Sequence, residues 1–95
     1  GDIKRLSKLK PKFTYDVKLK SSRKVKHMDN KLINRLARRA GCPEDKAAGV
    51  YLYKKKGQIG VKGEPILTIH TTSLKKMKHA KAFFKKHEKR IIYYN

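Results

Sequence analysis

The side chains able to do covalent or metal chemistry are few and scattered. The carboxylates are Asp2, Asp16, Asp29, Glu44, Asp45, Glu64 and Glu88, and none forms a motif with a neighbouring His or Ser. Asp29 reads as a helix cap, and Glu44 and Asp45 suit a helix start. His27, His70, His79 and His87 lack the short paired spacing of zinc ligands, so no metal and no cofactor is expected. Cys42 is the single cysteine. It reads as a packing residue, and its solitude fits a reducing compartment. The stretch from Gly57 to Gly63 is not followed by the GK[ST] of a phosphate-binding loop. By residue type, then, the chain reads as a non-enzyme without a small-molecule substrate.

Cations are where the chemistry concentrates. Lys and Arg number 27 against 7 Asp and Glu, for a formal net charge of +20 in 95 residues. An excess of that size works against compaction and calls for a polyanionic partner. Three clusters carry it. A loop through Ser21-Ser22 holds Lys18, Lys20, Arg23, Lys24 and Lys26. A turn holds Lys54, Lys55 and Lys56. The segment after Ser73 holds Lys75, Lys76, Lys78, Lys81, Lys85 and Lys86, and continues to Lys89 and Arg90. All are read as RNA-binding residues, acting on phosphates and on RNA shape, since no base-reading motif is present. Tyr51 and Tyr53 are read either as base-stacking residues or as ordinary strand residues.

The elements that position these clusters follow from periodicity. Ser73 caps a helix in which Leu74, Met77, Ala80, Phe83, Phe84 and His87 share one face. Lys75, Lys78, Lys85 and Lys86 share the other, with His79 among them. Asp29 caps a second helix with Leu32, Ile33, Leu36, Ala37 and Ala40 inward. Lys31, Arg35, Arg38 and Arg39 lie on its outer face, and Gly41 stands at the C-cap. Alternation of Phe13, Tyr15, Val17 and Leu19 with Thr14, Asp16 and Lys18 predicts a half-buried strand. Residues 50–70 predict either one ragged hairpin or three short strands. Ile91 to Tyr94 predicts an edge strand or plug. The expected fold is α+β, a small antiparallel sheet with two amphipathic helices on one face.

Residues 1–12 are expected to form a basic arm, either ordering on RNA or packing as a short helix, and residues 13–95 a single domain. No stretch reaches the length of a membrane span, and the first residues lack a signal-peptide h-region. A location in the cytosol or nucleus is expected.

Several segments resemble one family. Lys12-Phe13-Thr14-Tyr15-Asp16 looks like its first strand, Asp29 to Arg39 like its capped helix, and Gly49-Val50 like a strand start. Met77-Lys78 to Phe84-Lys85-Lys86 is similar to its Lys and aromatic pattern. The family is the eukaryote-specific large-subunit ribosomal protein called L-twenty-two-e. This chain, ending at Ile91-Ile92-Tyr93-Tyr94-Asn95, would be a truncated member or a different small ribosomal protein. The resemblance implies a structural constituent of the large ribosomal subunit, partnered by ribosomal RNA and neighbouring ribosomal proteins. It further implies a cytoplasmic location, assembly in the nucleus or nucleolus, and no membrane partner. A free regulatory nucleic-acid-binding protein and a non-catalytic subunit of an RNA-processing complex are the alternative expectations.

Overall fold

Eight elements follow from this pattern in the computed structural model, which describes residues 13–44 and 46–95. They are β1 (Phe13–Lys18), β2 (Arg23–Met28), α1 (Asn30–Ala40), β3 (Gly49–Leu52), β4 (Ile59–Gly60), β5 (Pro65–Thr71), α2 (Leu74–Ile91) and β6 (Ile92–Tyr94). The α+β class with two amphipathic helices holds. The strands divide between two antiparallel three-stranded sheets, ordered β1-β5-β3 and β4-β2-β6. The expected basic arm lies outside the described residues.

Strand β5 organises the first sheet. Ile66, Leu67, Thr68, Ile69 and Thr71 are all buried, so both faces of this strand are covered and no alternation survives. β1 pairs with it from Phe13↔Thr71 to Val17↔Leu67 and keeps the alternation expected of a half-buried edge strand. On the sheet face bearing Asp16, Thr68 Oγ1 donates to Asp16 Oδ1 at 2.7 Å. With that proton committed, Tyr53 is the donor in the 2.8 Å contact between its hydroxyl and Thr68 Oγ1. Tyr53 therefore has a structural partner, and its ring meets Tyr51 edge to face at 4.8 Å.

The second sheet differs from the sequence reading. Lys18 to Lys26 reads as a loop, but its second half is the central strand β2. Only Val25 in β2 is fully buried; Arg23, Lys24, Lys26 and His27 are exposed. A central strand with one fully buried residue has the composition of a loop. β6 forms the expected edge strand, through Val25↔Tyr94, His27↔Tyr93 and Met28↔Ile92. Residues 50–70 resolve into three short strands, with β3 joining β5 and β4 joining β2.

Both helix starts are capped as their sequences dictate. Asp29 Oδ1 accepts from the backbone N–H groups of Lys31 and Leu32 at 2.9 and 3.1 Å. Ser73 Oγ accepts from Lys76 N–H at 3.3 Å. Gly41 ends α1 with φ 124°, and Cys42 N–H reaches back to the Ala37 carbonyl at 3.1 Å. Ile33, Leu36 and Ala40 from α1 meet Met77, Ala80, Phe84 and Ile91 from α2 in one core with β5. Leu74 departs from expectation and is 54% exposed. A side chain in the first helical turn leans over the chain preceding it, ahead of the buried stripe that begins at Met77.

The β4–β5 connection is held by Glu64. Its Oε1 accepts from Val61 N–H at 2.7 Å and its Oε2 meets Lys54 Nζ at 3.1 Å. The backbone hydrogen bond from Val61, followed by the Lys54 ammonium, holds this carboxyl below its ordinary value of 4.5. A depressed folded-state value adds stability above the unfolded value, and that stability is lost as pH falls through the folded one. Acidification below pH ~4.5 should therefore lower the melting temperature of the parent more than that of Glu64→Gln. Parallel melting-temperature-against-pH curves would refute this role for Glu64.

Candidate cationic groove between the helices

α1 and α2 pack side by side, and the seam between their outer edges is a groove of about 820 Å³. One wall is Arg35, Arg38 and Arg39, at i, i+3 and i+4 of α1. The other is His79, Ala82, Phe83, Lys86 and His87, one helical stripe of α2. No carboxylate among the described residues lines the groove. Arg39 is held by a ring: its guanidinium lies 5.4 Å from the Phe83 centroid. His87 meets the same Phe83 ring at 4.5 Å. Such stacking positions the guanidinium while leaving its N–H edge free for an anion. Arg38 and Arg39 belong to the last turn of α1, where the helix dipole favours cations. That placement favours two of the three guanidiniums.

A second depression, of about 620 Å³, opens on the opposite flank of α2. Lys18, Lys20, Arg23, Lys26 and Lys89 line it, with Glu88 among them, over an apolar floor of Val17, Leu19, Phe84 and Ile92. Arg23 lies 5.7 Å over the Tyr94 ring. Burial raises the Tyr94 hydroxyl above its ordinary value and Glu88 adds to that rise, against the opposing effect of Arg23.

The expected RNA-binding residues are thus distributed over the surface. Lys86 enters the helix–helix groove, while Lys18, Lys20, Arg23, Lys26 and Lys89 meet in the second depression. Lys24, Lys75, Lys76, Lys78, Lys85 and Arg90 are exposed outside both. Lys81 Nζ sits 4.5 Å over the Tyr15 ring, and Lys54 is paired with Glu64. Lys55 and Lys56 are exposed beside the Gly57 turn. Arg35, Arg38, Arg39 and His79 complete the groove and are absent from the sequence-derived site. Their signal was present as the charged outer face of α1, but only the packing of the helices turns that face into a wall. Among the described residues, no group of three or more His, Cys, Asp or Glu is placed to hold a metal ion. No helix among them is long and apolar enough to cross a membrane.

Comparison with known proteins places the chain in a family. The pattern that describes the pyrimidine nucleoside phosphorylase C-terminal domain matches residues 24–89, from β2 nearly to the end of α2. The chain belongs to this family. Among curated relatives, an AMP phosphorylase of Pyrococcus abyssi is 47% identical over 60 residues, covering 63% of this chain and 12% of the relative. An AMP phosphorylase of Methanosarcina mazei is 43% identical over 70 residues, 74% of this chain and 14% of the relative. AMP phosphorylase 2 of Archaeoglobus fulgidus is 39% identical over 67 residues, 70% of this chain and 13% of the relative. The chain therefore matches only a small share of relatives several times its length.

These matches overturn the ribosomal reading. Capped amphipathic helices and β-rich strand starts suit many α+β domains, and they carried the resemblance to the L-twenty-two-e family. The ribosomal RNA and ribosomal-protein partners fall with it, as does a role in translation. So do the two alternatives, a regulatory nucleic-acid binder and a subunit of an RNA-processing complex. The expectation of a non-enzyme without a small-molecule substrate also falls. It rested on scanning this chain for a complete catalytic set, whereas the relatives that carry this domain are named as enzymes.

Proposed function

We propose that this chain is the C-terminal domain of a phosphorylase acting on a nucleoside or nucleoside monophosphate. The observation that carries this reading is the family match over residues 24–89. The AMP phosphorylase relatives add a nucleotide to the nucleosides named by the family. In such a reaction inorganic phosphate displaces the base from the sugar carbon, giving a sugar 1-phosphate and the free base. The charge of the domain suits a reaction whose co-substrate and product are both phosphate anions.

The test is phosphate-dependent base release by the purified protein that carries this domain. AMP, thymidine and uridine are supplied separately, with and without inorganic phosphate, and the free base is separated by chromatography. Release from AMP only when phosphate is present is the expected result. Release from thymidine or uridine instead would keep the phosphorylase class and move the substrate to pyrimidine nucleosides. No phosphate-dependent release from any of the three would overturn the proposal.

A further inference from the structure

The groove between α1 and α2 has the attributes of a ligand site in its own right. Its volume of about 820 Å³ lies within the ~300–1,000 Å³ range of small-molecule pockets. Among the described residues, its fixed charges are Arg35, Arg38 and Arg39 on one wall and Lys86 on the other, with no carboxylate lining it. Guanidinium groups match phosphate oxygens in a two-pronged fashion, and Arg39 is already oriented by the Phe83 ring at 5.4 Å.

Charge matching narrows the ligand. A single phosphomonoester carries about −1.5 to −2 at neutral pH, roughly half of what four fixed cations can neutralise. Linked phosphates supply the rest. We propose that this groove binds a di- or triphosphate group, clamped by Arg35, Arg38 and Arg39 from α1 and by Lys86 from α2. The group is either inorganic or the phosphate arm of a nucleotide. This inference is independent of the phosphorylase reading, because it concerns binding to the groove and not base release.

Calorimetric titration of the 95-residue chain tests it, at ~0.15 M ionic strength so that diffuse surface attraction is screened. The probes are inorganic triphosphate, ATP, AMP and a short single-stranded RNA. Saturable binding of one triphosphate per chain is expected, with AMP weaker by about tenfold or more, since each charge-assisted hydrogen bond is worth about a factor of ten. Arg38→Gln combined with Lys86→Gln should weaken triphosphate by at least about tenfold. Lys55→Gln with Lys56→Gln removes the same charge from a distant turn and should leave affinity within about twofold, as expected for screened surface charges. ATP binding as tightly as triphosphate assigns recognition to the phosphates; tighter ATP binding adds a contact to the nucleoside.

Equal weakening by the two double variants would overturn the site, because binding would then follow net charge. AMP binding as tightly as triphosphate would overturn the linked-phosphate assignment. RNA binding more tightly than triphosphate, with the groove variant losing RNA preferentially, would replace the small ligand by a polymer. Circular dichroism verifies that the groove variant stays folded. If its helix signal drops, the single change Arg35→Gln, at an exposed position on α1, takes its place with the same expectation.

Discussion

Phe84→Ala should remove about 3–5 kcal/mol of folding free energy, the usual cost of emptying a buried Phe position. Phe84 is 2% exposed and packs into the core from the inner face of α2. It shares an apolar floor with Val17 and Leu19, from the end of β1 and the turn after it, and with Ile92 of β6. These residues belong to or adjoin two different sheets, so the ring fills the space where the sheets and α2 meet. Domains of this size have about 5–15 kcal/mol of stability in total. A net charge of +20 pushes this chain toward the lower end.

Urea melts followed by circular dichroism give the measurement. The midpoint of Phe84→Ala should fall far below that of the parent. The shift should persist at high salt, where charge repulsion is screened and both proteins gain stability. Phe83→Ala is the internal comparison. Phe83 is only half-buried and faces the groove, with Arg39 and His87 against its ring. Its loss should be clearly smaller. If Phe84→Ala melts with the parent, α2 does not pack through this residue as described.

How much of this was legible before the structure depends on whether the signal was local. The alternation Phe13 to Lys18 and the caps Asp29 and Ser73 depend on neighbours in sequence, and each produced the expected element. The tail Ile92–Tyr94 is apolar enough to declare a strand. β2 escaped because its pairing, not its composition, makes it a strand: Val25 is its one fully buried residue, and the strand's partners, Gly60 opposite Arg23 and Tyr94 opposite Val25, are far away in sequence. Gly60 also reads differently in three dimensions. It looks like a residue that weakens a strand, yet a Cβ there would run into Leu19 Cδ1. The absent side chain makes room for the Leu19 contact between the two sheets. The groove was the least legible feature. A row of arginines on one helix looks like a solvated face until a second helix stands beside it.

The second large effect concerns the hydroxyl that ties those helices together. Thr71 closes β5, is fully buried, and donates from Oγ1 to the Ala40 carbonyl at 2.8 Å. Ala40 is the last residue of α1, and its carbonyl is one of those a helix end leaves without an intrahelical partner. The same Oγ1 accepts from the backbone N–H of Ser73, the N-cap of α2, at 3.2 Å. One hydroxyl thus serves the end of one helix and the start of the other. Thr71→Val keeps the shape and leaves both backbone groups without this partner, at an expected cost of about 1–3 kcal/mol. Thr71→Ser keeps the hydroxyl and removes one methyl group, at about 0.8 kcal/mol. The order of stability should therefore be parent, Ser, Val. Hydrogen exchange at the Ser73 amide should accelerate in the Val variant and stay slow in the Ser variant. Arg38 and Arg39 lie in the last turn of α1, directly before the Ala40 anchor. Loosening that anchor should therefore also weaken triphosphate binding, with Thr71→Ser close to the parent and Thr71→Val below it. A Val variant as stable as the Ser variant, with an equally protected Ser73 amide, would show that packing alone holds the helix ends and that the hydroxyl is dispensable.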